Sequence, residues 1–154
     1  MREILFRGKS VNDGEWYFGS LVIDTLDPVD SVPFKHYHID QMTIGCFPDE
    51  YQAGFSETVD PETVGQFTGL TDKNGKKIFE GDIVHVLGNQ QVEDWKNVNY
   101  IGSIAFLDAG FCVIDGTIED HAFRRYQLPR LDFDLEVIGN IHDNPELLEV
   151  TDNA

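Results

Sequence analysis

One stretch of the chain decides the fold: Gln66-Phe67-Thr68-Gly69-Leu70-Thr71-Asp72-Lys73-Asn74-Gly75-Lys76-Lys77-Ile78-Phe79-Glu80-Gly81-Asp82-Ile83-Val84-His85-Val86. Its centre, Asp72-Lys73-Asn74-Gly75, predicts a β-hairpin, because Asn and Gly both tolerate the positive φ of a tight type I′ turn. Gly69 and Gly81 predict a bulge or a change of direction in the two arms. The run after Asp82 is rich in β-branched residues and predicts a further strand.

Three blocks of the sequence resemble the YopX family of phage and prophage proteins. The first is the stretch Gln66–Lys76 followed by Ile78–Val84, the second is Glu136–Leu148, and the third is the start, Arg2–Gly8. The two longer blocks occur in the right order, and with the start they place nearly the whole chain in the family. The resemblance implies a mainly β fold of phage origin with no assigned activity.

The remaining sequence favours the same fold class. Eleven phenylalanines and five tyrosines, together with many Val and Ile residues, favour packed strands over a helical bundle. We therefore expect an all-β, or predominantly β, protein built on a small twisted β-barrel with an SH3-like core. A chain of 154 residues fits one domain, 1–154, or an N-terminal β subdomain, 1–60, packed on a barrel core, 61–150. Long loops are expected from Asp24 to Pro61 and from Gly88 to Asn99.

Shorter motifs predict where the backbone turns. Asn12-Asp13-Gly14 predicts the turn of a first hairpin, and Asp108-Ala109-Gly110 predicts another hairpin turn with Gly110 in the left-handed conformation. Near the end, Asn144 and Pro145 predict the N-cap and the first position of a short terminal helical turn. The residues that we expect to fix the backbone are Gly69, Asn74, Gly75, Gly81, Asp82, Gly139, Asn144 and Pro145.

The net charge limits the partners of the protein. Twenty-eight acidic residues against eleven Lys and Arg give a formal charge of −17 at pH 7. Such a charge opposes direct binding to nucleic acid or to an anionic membrane. It fits a soluble, self-repelling surface; alternatively, the acidic surface imitates the phosphates of nucleic acid and occupies a basic site on a host protein.

The N-terminus and the cysteines indicate the compartment. Met1–Arg7 has charges on both sides of a short apolar run, so it lacks the apolar segment of a signal peptide. Cys46 and Cys112 are isolated, and in a chain without an export signal they are expected to be reduced, packed thiols. We therefore expect a location in the host cell cytoplasm.

The sequence contains only weak signals for a catalytic or metal-binding site. His36 and His38 share one face if their segment is a strand, but a zinc site needs three or four converging ligands, and convergence is not visible in a sequence. Asp132, Asp134 and Glu136 are expected to form a solvated strand face. Neither a phosphate-binding glycine loop nor a nucleophile elbow is present in the sequence. We therefore expect no enzyme activity, no catalytic residue, no cofactor and no metal site.

Large aromatic residues and one cationic cluster are the candidate interaction residues: Trp16, Tyr17, Trp95, Tyr100, Arg124 and Arg125. The two arginines could meet an acidic patch on another copy of the chain or pair locally with neighbouring acids. We expect a phage or prophage accessory protein that acts by protein contact or self-assembly, as a homo-oligomer or with an unidentified protein partner. The alternatives are the acidic decoy described above and an enzyme of unrecognised type.

Overall fold

The computed structural model describes residues 3–29, 32–41, 55–88, 93, 96–115, 124–128 and 133–149. The predicted predominantly β fold is confirmed, since these ranges form two antiparallel sheets and two short helices. The strands are β1 Phe6–Lys9, β2 Trp16–Val29, β3 Val32–Gln41, β4 Phe55–Thr58, β5 Gly65–Thr71, β6 Lys77–Phe79, β7 Asp82–Gly88, β8 Asn99–Leu107, β9 Gly110–Asp115, β10 Arg124–Gln127 and β11 Phe133–Asn140. A 3-10 helix spans Pro61–Thr63, and the short C-terminal helix, α1, spans Glu146–Glu149.

The chain divides into two compact units, Met1–Phe67 and Thr68–Ala154. In the first unit the strands lie in the order β4-β3-β2-β1-β5. Ile39, Val59 and Phe67 are buried in this unit. Strand β5 crosses the boundary and continues in the second unit, where β6 lies next to it. The packing of an N-terminal subdomain on the rest of the chain stays a prediction.

The predicted loop from Asp24 to Pro61 is wrong over most of its described part. Strand β2 continues to Val29 and β3 begins at Val32, so the two form one long hairpin, and β4 follows at Phe55–Thr58. Proline and aspartate are tolerated there because the register shifts between Leu26 and Val29, and a bulge is one of the places where a sheet accepts proline. Residues 42–54 of the expected loop lie outside the described residues.

The second sheet, in the second unit, has the strand order β10-β9-β8-β7-β11. The core of this unit is a cluster of buried aliphatic side chains from β6 and the second sheet: Ile78, Val84, Val86, Ile104 and Val113. The predicted barrel is not confirmed. Closure would require the outer strands β10 and β11 to pair, and no such pairing occurs in the part of the chain that the structure describes.

The hairpin at Asp72–Gly75 is confirmed, but its predicted turn type is wrong. Gly75 has a φ of +81°, whereas Asn74 keeps a negative φ. The side chain of Asp72 explains this difference, since its Oδ1 accepts the N–H groups of Asn74 and Lys76, both at 2.9 Å. These bonds fit a three-residue loop, in which only the last residue is left-handed.

The type I′ geometry occurs at the other hairpin, between β8 and β9. Asp108 has a φ of 49° and Ala109 a φ of 64°, and Leu107 pairs with Gly110. A two-residue loop requires positive φ at both central positions, so the left-handed residues are Asp108 and Ala109. The prediction that Gly110 is left-handed is therefore wrong.

The short C-terminal helix is confirmed and packs close to Gly139. A Cβ atom at Gly139 would lie 2.6 Å from Asn144 Oδ1 and 2.9 Å from Leu147 Cδ1. The register of β11 against β7 shifts between Val137 and Gly139. Asn144 Oδ1 accepts the N–H of Asn140 at 3.3 Å, so this side chain contacts the end of β11. In the described ranges no helix combines the length and apolar character needed to cross a membrane.

Candidate functional site

The aromatic residues that open β2 are held by contacts within the first unit. The guanidinium carbon of Arg7 lies 4.7 Å from the ring centroid of Trp16, a cation–π distance. The Tyr17 hydroxyl donates to Asp13 Oδ2 at 2.6 Å. This hydrogen bond raises the pKa of Tyr17 to about 12 and lowers the pKa of the Asp13 carboxyl. Both rings are half-buried, so they form part of the hairpin surface.

The other predicted interaction residues fall in the second part of the chain. Tyr100 is half-buried and packs against the aliphatic core cluster. Arg124 and Arg125 lie on β10, an outer strand, opposite Asp115 and Ile114 of β9. Trp95 lies outside the described residues. Of the five candidates on described strands, two lie in the first unit and three in the second.

An exposed aromatic residue that the sequence analysis missed lies beside the β8–β9 turn. Phe106 is 51% exposed, and its ring stands at 72° to that of Phe111, with the centroids 5.0 Å apart. Ile104 and Phe106 are two residues apart and so lie on the same face of the strand. The apolar face that forms the core thus continues past Ile104 to the exposed Phe106, which contacts the half-buried Phe111. The spacing of Ile104 and Phe106 was visible in the sequence, but it did not indicate which of the two side chains is buried and which is exposed.

A buried carboxylate, Asp72, joins the motif hairpin to the outer edge of β11. Asp72 Oδ2 accepts the N–H of Val137 at 3.0 Å, and the N–H of Lys73 donates to the carbonyl of Leu135 at 2.9 Å. Burial by itself would raise the pKa of Asp72, but the hydrogen bonds from Val137, Lys76 and Asn74 together hold it below its usual value. These donors are backbone groups, so the contacts of Asp72 are structural.

A second buried carboxylate, Asp82, supports the turn after β6. Asp82 is 2% exposed, and its Oδ2 accepts the N–H of Phe79 at 2.8 Å. On the acidic face of β11, Glu136 forms an ion pair with Lys73 at 3.0 Å, whereas Asp134 is exposed. The predicted solvated face therefore has one of its acids paired. Asp132 lies outside the described residues.

Imidazole and carboxylate groups converge on the β2–β3 hairpin. One ligand atom each from Asp24, His36 and His38 lie within 4.8 Å of one another. The two histidines are half-buried and Asp24 is exposed. His36 and His38 lie on strand β3, so both imidazoles share one face, as expected if their segment is a strand. The sequence analysis did not include Asp24, because its expected position was in a loop. In the described part of the chain these are the side chains that could hold a metal ion.

Comparison with known proteins finds one matching protein family and similar solved structures. A family model described as YopX protein matches residues 6–149. The solved structure of yopX from Bacillus subtilis is similar, with 17% identity, a TM-score of 0.51, and coverage of 96% of this chain and 99% of that chain. Protein EF1440 from Enterococcus faecalis is 24% identical over the same shares of the two chains, with a TM-score of 0.43. The comparison with curated proteins finds no match.

Proposed function

This chain belongs to the YopX protein family, and from that premise we propose that it is a phage or prophage accessory protein that acts through protein contacts. Its first partner is a second copy of the same chain, and it is not an enzyme. The observation that carries the proposal is the aromatic pair beside the β8–β9 turn, in which Phe106 is 51% exposed and Phe111 is half-buried. Large aromatic side chains are the usual anchors of protein interfaces, because they bury much area for little loss of rotamer entropy.

The turn that carries this pair supports its role as an anchor. Asp108 and Ala109 form a two-residue loop, and the two rings lie directly across the hairpin from each other. Tight turns and a T-shaped ring pair both restrict the side chains before a partner arrives. An anchor that is ordered in advance loses little entropy on binding.

The distribution of charge supports a second copy as the partner. The chain carries a formal charge of −17, yet two adjacent arginines, Arg124 and Arg125, occupy the outer strand β10. A basic strand on an acidic molecule is complementary to the acidic surface of another copy, and this complementarity fixes orientation more than it adds affinity. An outer strand also offers backbone groups that can pair with another chain.

The contacts of the buried acids support a role without catalysis. Asp72 and Asp82 accept hydrogen bonds from backbone N–H groups, contacts that support a structural role for these carboxylates. Location in the host cell cytoplasm is a further part of the proposal. It is supported by Cys112, which is buried and whose thiol donates to the carbonyl of Ala105 at 3.5 Å, because reduced cysteines are usual in that compartment.

Native mass in solution tests this proposal. We expect the wild-type protein to have the mass of a discrete oligomer, and we expect the double variant R124E/R125E and the single variant F106S each to shift it toward one chain. The double variant K76E/K77E is the matched control, since it reverses two adjacent, exposed charges by the same amount at the motif hairpin. A wild-type protein with the mass of one chain at every concentration would overturn self-association. An oligomer that all three variants leave intact would place the interface elsewhere and refute the role of Phe106 and β10.

A further inference from the structure

The geometry points to a binding site for a transition-metal ion of the Zn²⁺ class, formed by Asp24, His36 and His38 in the β2–β3 hairpin. This site goes beyond the proposed self-association and does not depend on it, because none of its residues belongs to β8, β9 or β10. It requires only that the first unit be folded.

The register of the two strands brings the three side chains together. Asp24 lies directly opposite His36, and His38 follows two residues later on the same strand. Side chains two residues apart point to the same face of a strand, and directly opposite residues have Cβ atoms about 4.5–5.5 Å apart. Three potential ligands therefore lie on one face, within reach of a single ion.

The distances between the polar atoms are close to those that zinc requires. His36 Nδ1 and His38 Nδ1 are 3.3 Å apart. The Asp24 carboxylate lies nearest the other nitrogen of His38, with Oδ2 3.6 Å from Nε2, and one ligand atom from each of the three residues lies within 4.8 Å of the other two. Two ligands at about 2.0–2.1 Å from a tetrahedral Zn²⁺ are separated by roughly 3.4 Å. The two imidazoles are therefore already spaced as two ligands of one ion. Asp24 is exposed, and a rotation of its side chain brings a carboxylate oxygen, already within 4.8 Å, to the same ion.

Neighbouring groups orient the imidazoles for this role. His36 Nε2 lies 2.9 Å from the Thr58 hydroxyl of β4. When His36 donates its Nε2–H to Thr58 Oγ1, the Nδ1 lone pair faces His38. Metal-ligating histidines usually bind such a group through their other ring nitrogen, which fixes the tautomer and the direction of the ring. Asp40 Oδ1 lies 4.0 Å from His38 Nε2 and adds negative charge on the same side.

The donor atoms decide which ions fit. Two imidazole nitrogens and one carboxylate oxygen suit Zn²⁺, Ni²⁺, Cu²⁺ or Fe²⁺, whereas Mg²⁺ and Ca²⁺ prefer all-oxygen ligand sets. Three protein ligands leave at least one position for water, which is typical of an open site. The net charge of −17 raises the concentration of cations near the whole protein, so specificity has to come from the two histidines.

Calorimetric titration of the full chain with Zn²⁺ tests the site, with Mg²⁺ as the control ion. We expect one Zn²⁺ per chain, and we expect H36A and H38A each to weaken its binding by at least about ten-fold, because loss of even a supporting residue at a metal site costs 10–100-fold. His85→Ala is the matched control. His85 is also a half-buried strand histidine, but its Nε2 contacts Asn99 Oδ1, outside the cluster.

A second variant and a second readout keep the test decisive. D24N changes an exposed side chain with little change in shape, and it should also weaken Zn²⁺ binding even if a histidine variant fails to fold. Co²⁺ bound in place of Zn²⁺ should give visible absorption bands that H38A removes and H85A retains. Absence of Zn²⁺ binding would overturn the site. Binding that D24N and a folded histidine variant leave unchanged, or that H85A weakens equally, would overturn it as well.

Discussion

Replacing Asp72 with Asn tests whether one buried carboxylate fastens the motif hairpin to β11. Oδ1 of Asp72 accepts the N–H groups of Asn74 and Lys76, and Oδ2 accepts that of Val137. Asn has one acceptor oxygen, and its other terminal atom is a nitrogen that donates. In either orientation of the amide, a backbone N–H group therefore loses its acceptor and faces another donor.

The expected loss of stability follows from these bonds. A hydrogen bond to a charged group contributes about 1.5–3 kcal/mol, and a buried donor left without an acceptor costs about 1–3 kcal/mol. D72N should therefore lower the free energy of unfolding by about 2–3 kcal/mol. The effect should depend on pH, because the folded-state pKa of Asp72 is lowered. Its contribution is present above the usual Asp pKa of about 3.9 and is lost as the pH falls through the lower folded value, so the two proteins should converge in stability at acidic pH.

Urea unfolding gives the change in free energy, and amide hydrogen exchange at Val137 locates it. The control is D134N, which removes one charge from an exposed position on the same strand and should change stability by less than about 0.5 kcal/mol. If D72N unfolds like D134N at neutral pH and the Val137 amide exchanges at its wild-type rate, the carboxylate does not hold β11 and the reasoning is refuted.

Three further predictions concern single side chains. Gly75→Val should lower the free energy of unfolding by more than about 1 kcal/mol, because a φ of +81° strains a β-branched residue. Gly110→Val is the control and should lower it by less, since Gly110 has an ordinary φ and a Cβ atom there meets open space. Equal melting temperatures of the two variants would contradict this prediction. Gly139→Ala should lower the free energy of unfolding by about 1–3 kcal/mol, because the added Cβ atom overpacks against the C-terminal helix. An unchanged melting temperature would show that the helix shifts without loss of stability. Tyr17 should ionise with a pKa of about 12 in an alkaline absorbance titration, and D13N should return that pKa toward 10; a Tyr17 pKa that D13N leaves in place would refute the role of the hydrogen bond.

Local signals in the sequence predicted the β class and the positions of the turns. Asn and Gly indicate turns because their own backbone preferences decide them, and the hairpins at 12–14, 72–75 and 108–110 all lie where expected. The turn types were not predictable in the same way. At Asp72 the backbone is fixed by a side chain that also binds Val137, 65 residues further along the chain.

Contacts between distant residues explain the other differences. The prolines and aspartates after Asp24 resemble a loop, but pairing with β3 satisfies the backbone and extends β2 to Val29. This extension also places Asp24 opposite His36, so the candidate metal cluster depends on a register that spacing alone does not specify. The exposure of Phe106 also depends on distant residues, because a side chain on the core face of a strand is buried only where other elements pack against it.

Asp72 and Lys73 determine which outer strand of the five-stranded sheet has unoccupied backbone groups. They bind the carbonyl of Leu135 and the N–H of Val137, two backbone groups on the side of β11 away from β7 that another strand would use. Within the described chain, the five-stranded sheet can therefore gain a neighbour at β10 but is closed to one at the middle of β11. Contacts between different surfaces of two copies can repeat and form fibres. A contact in which both copies use the same sheet edge forms a closed dimer. The proposed self-association through this sheet would therefore use β10, and a contact between the β10 strands of two copies would involve two chains only.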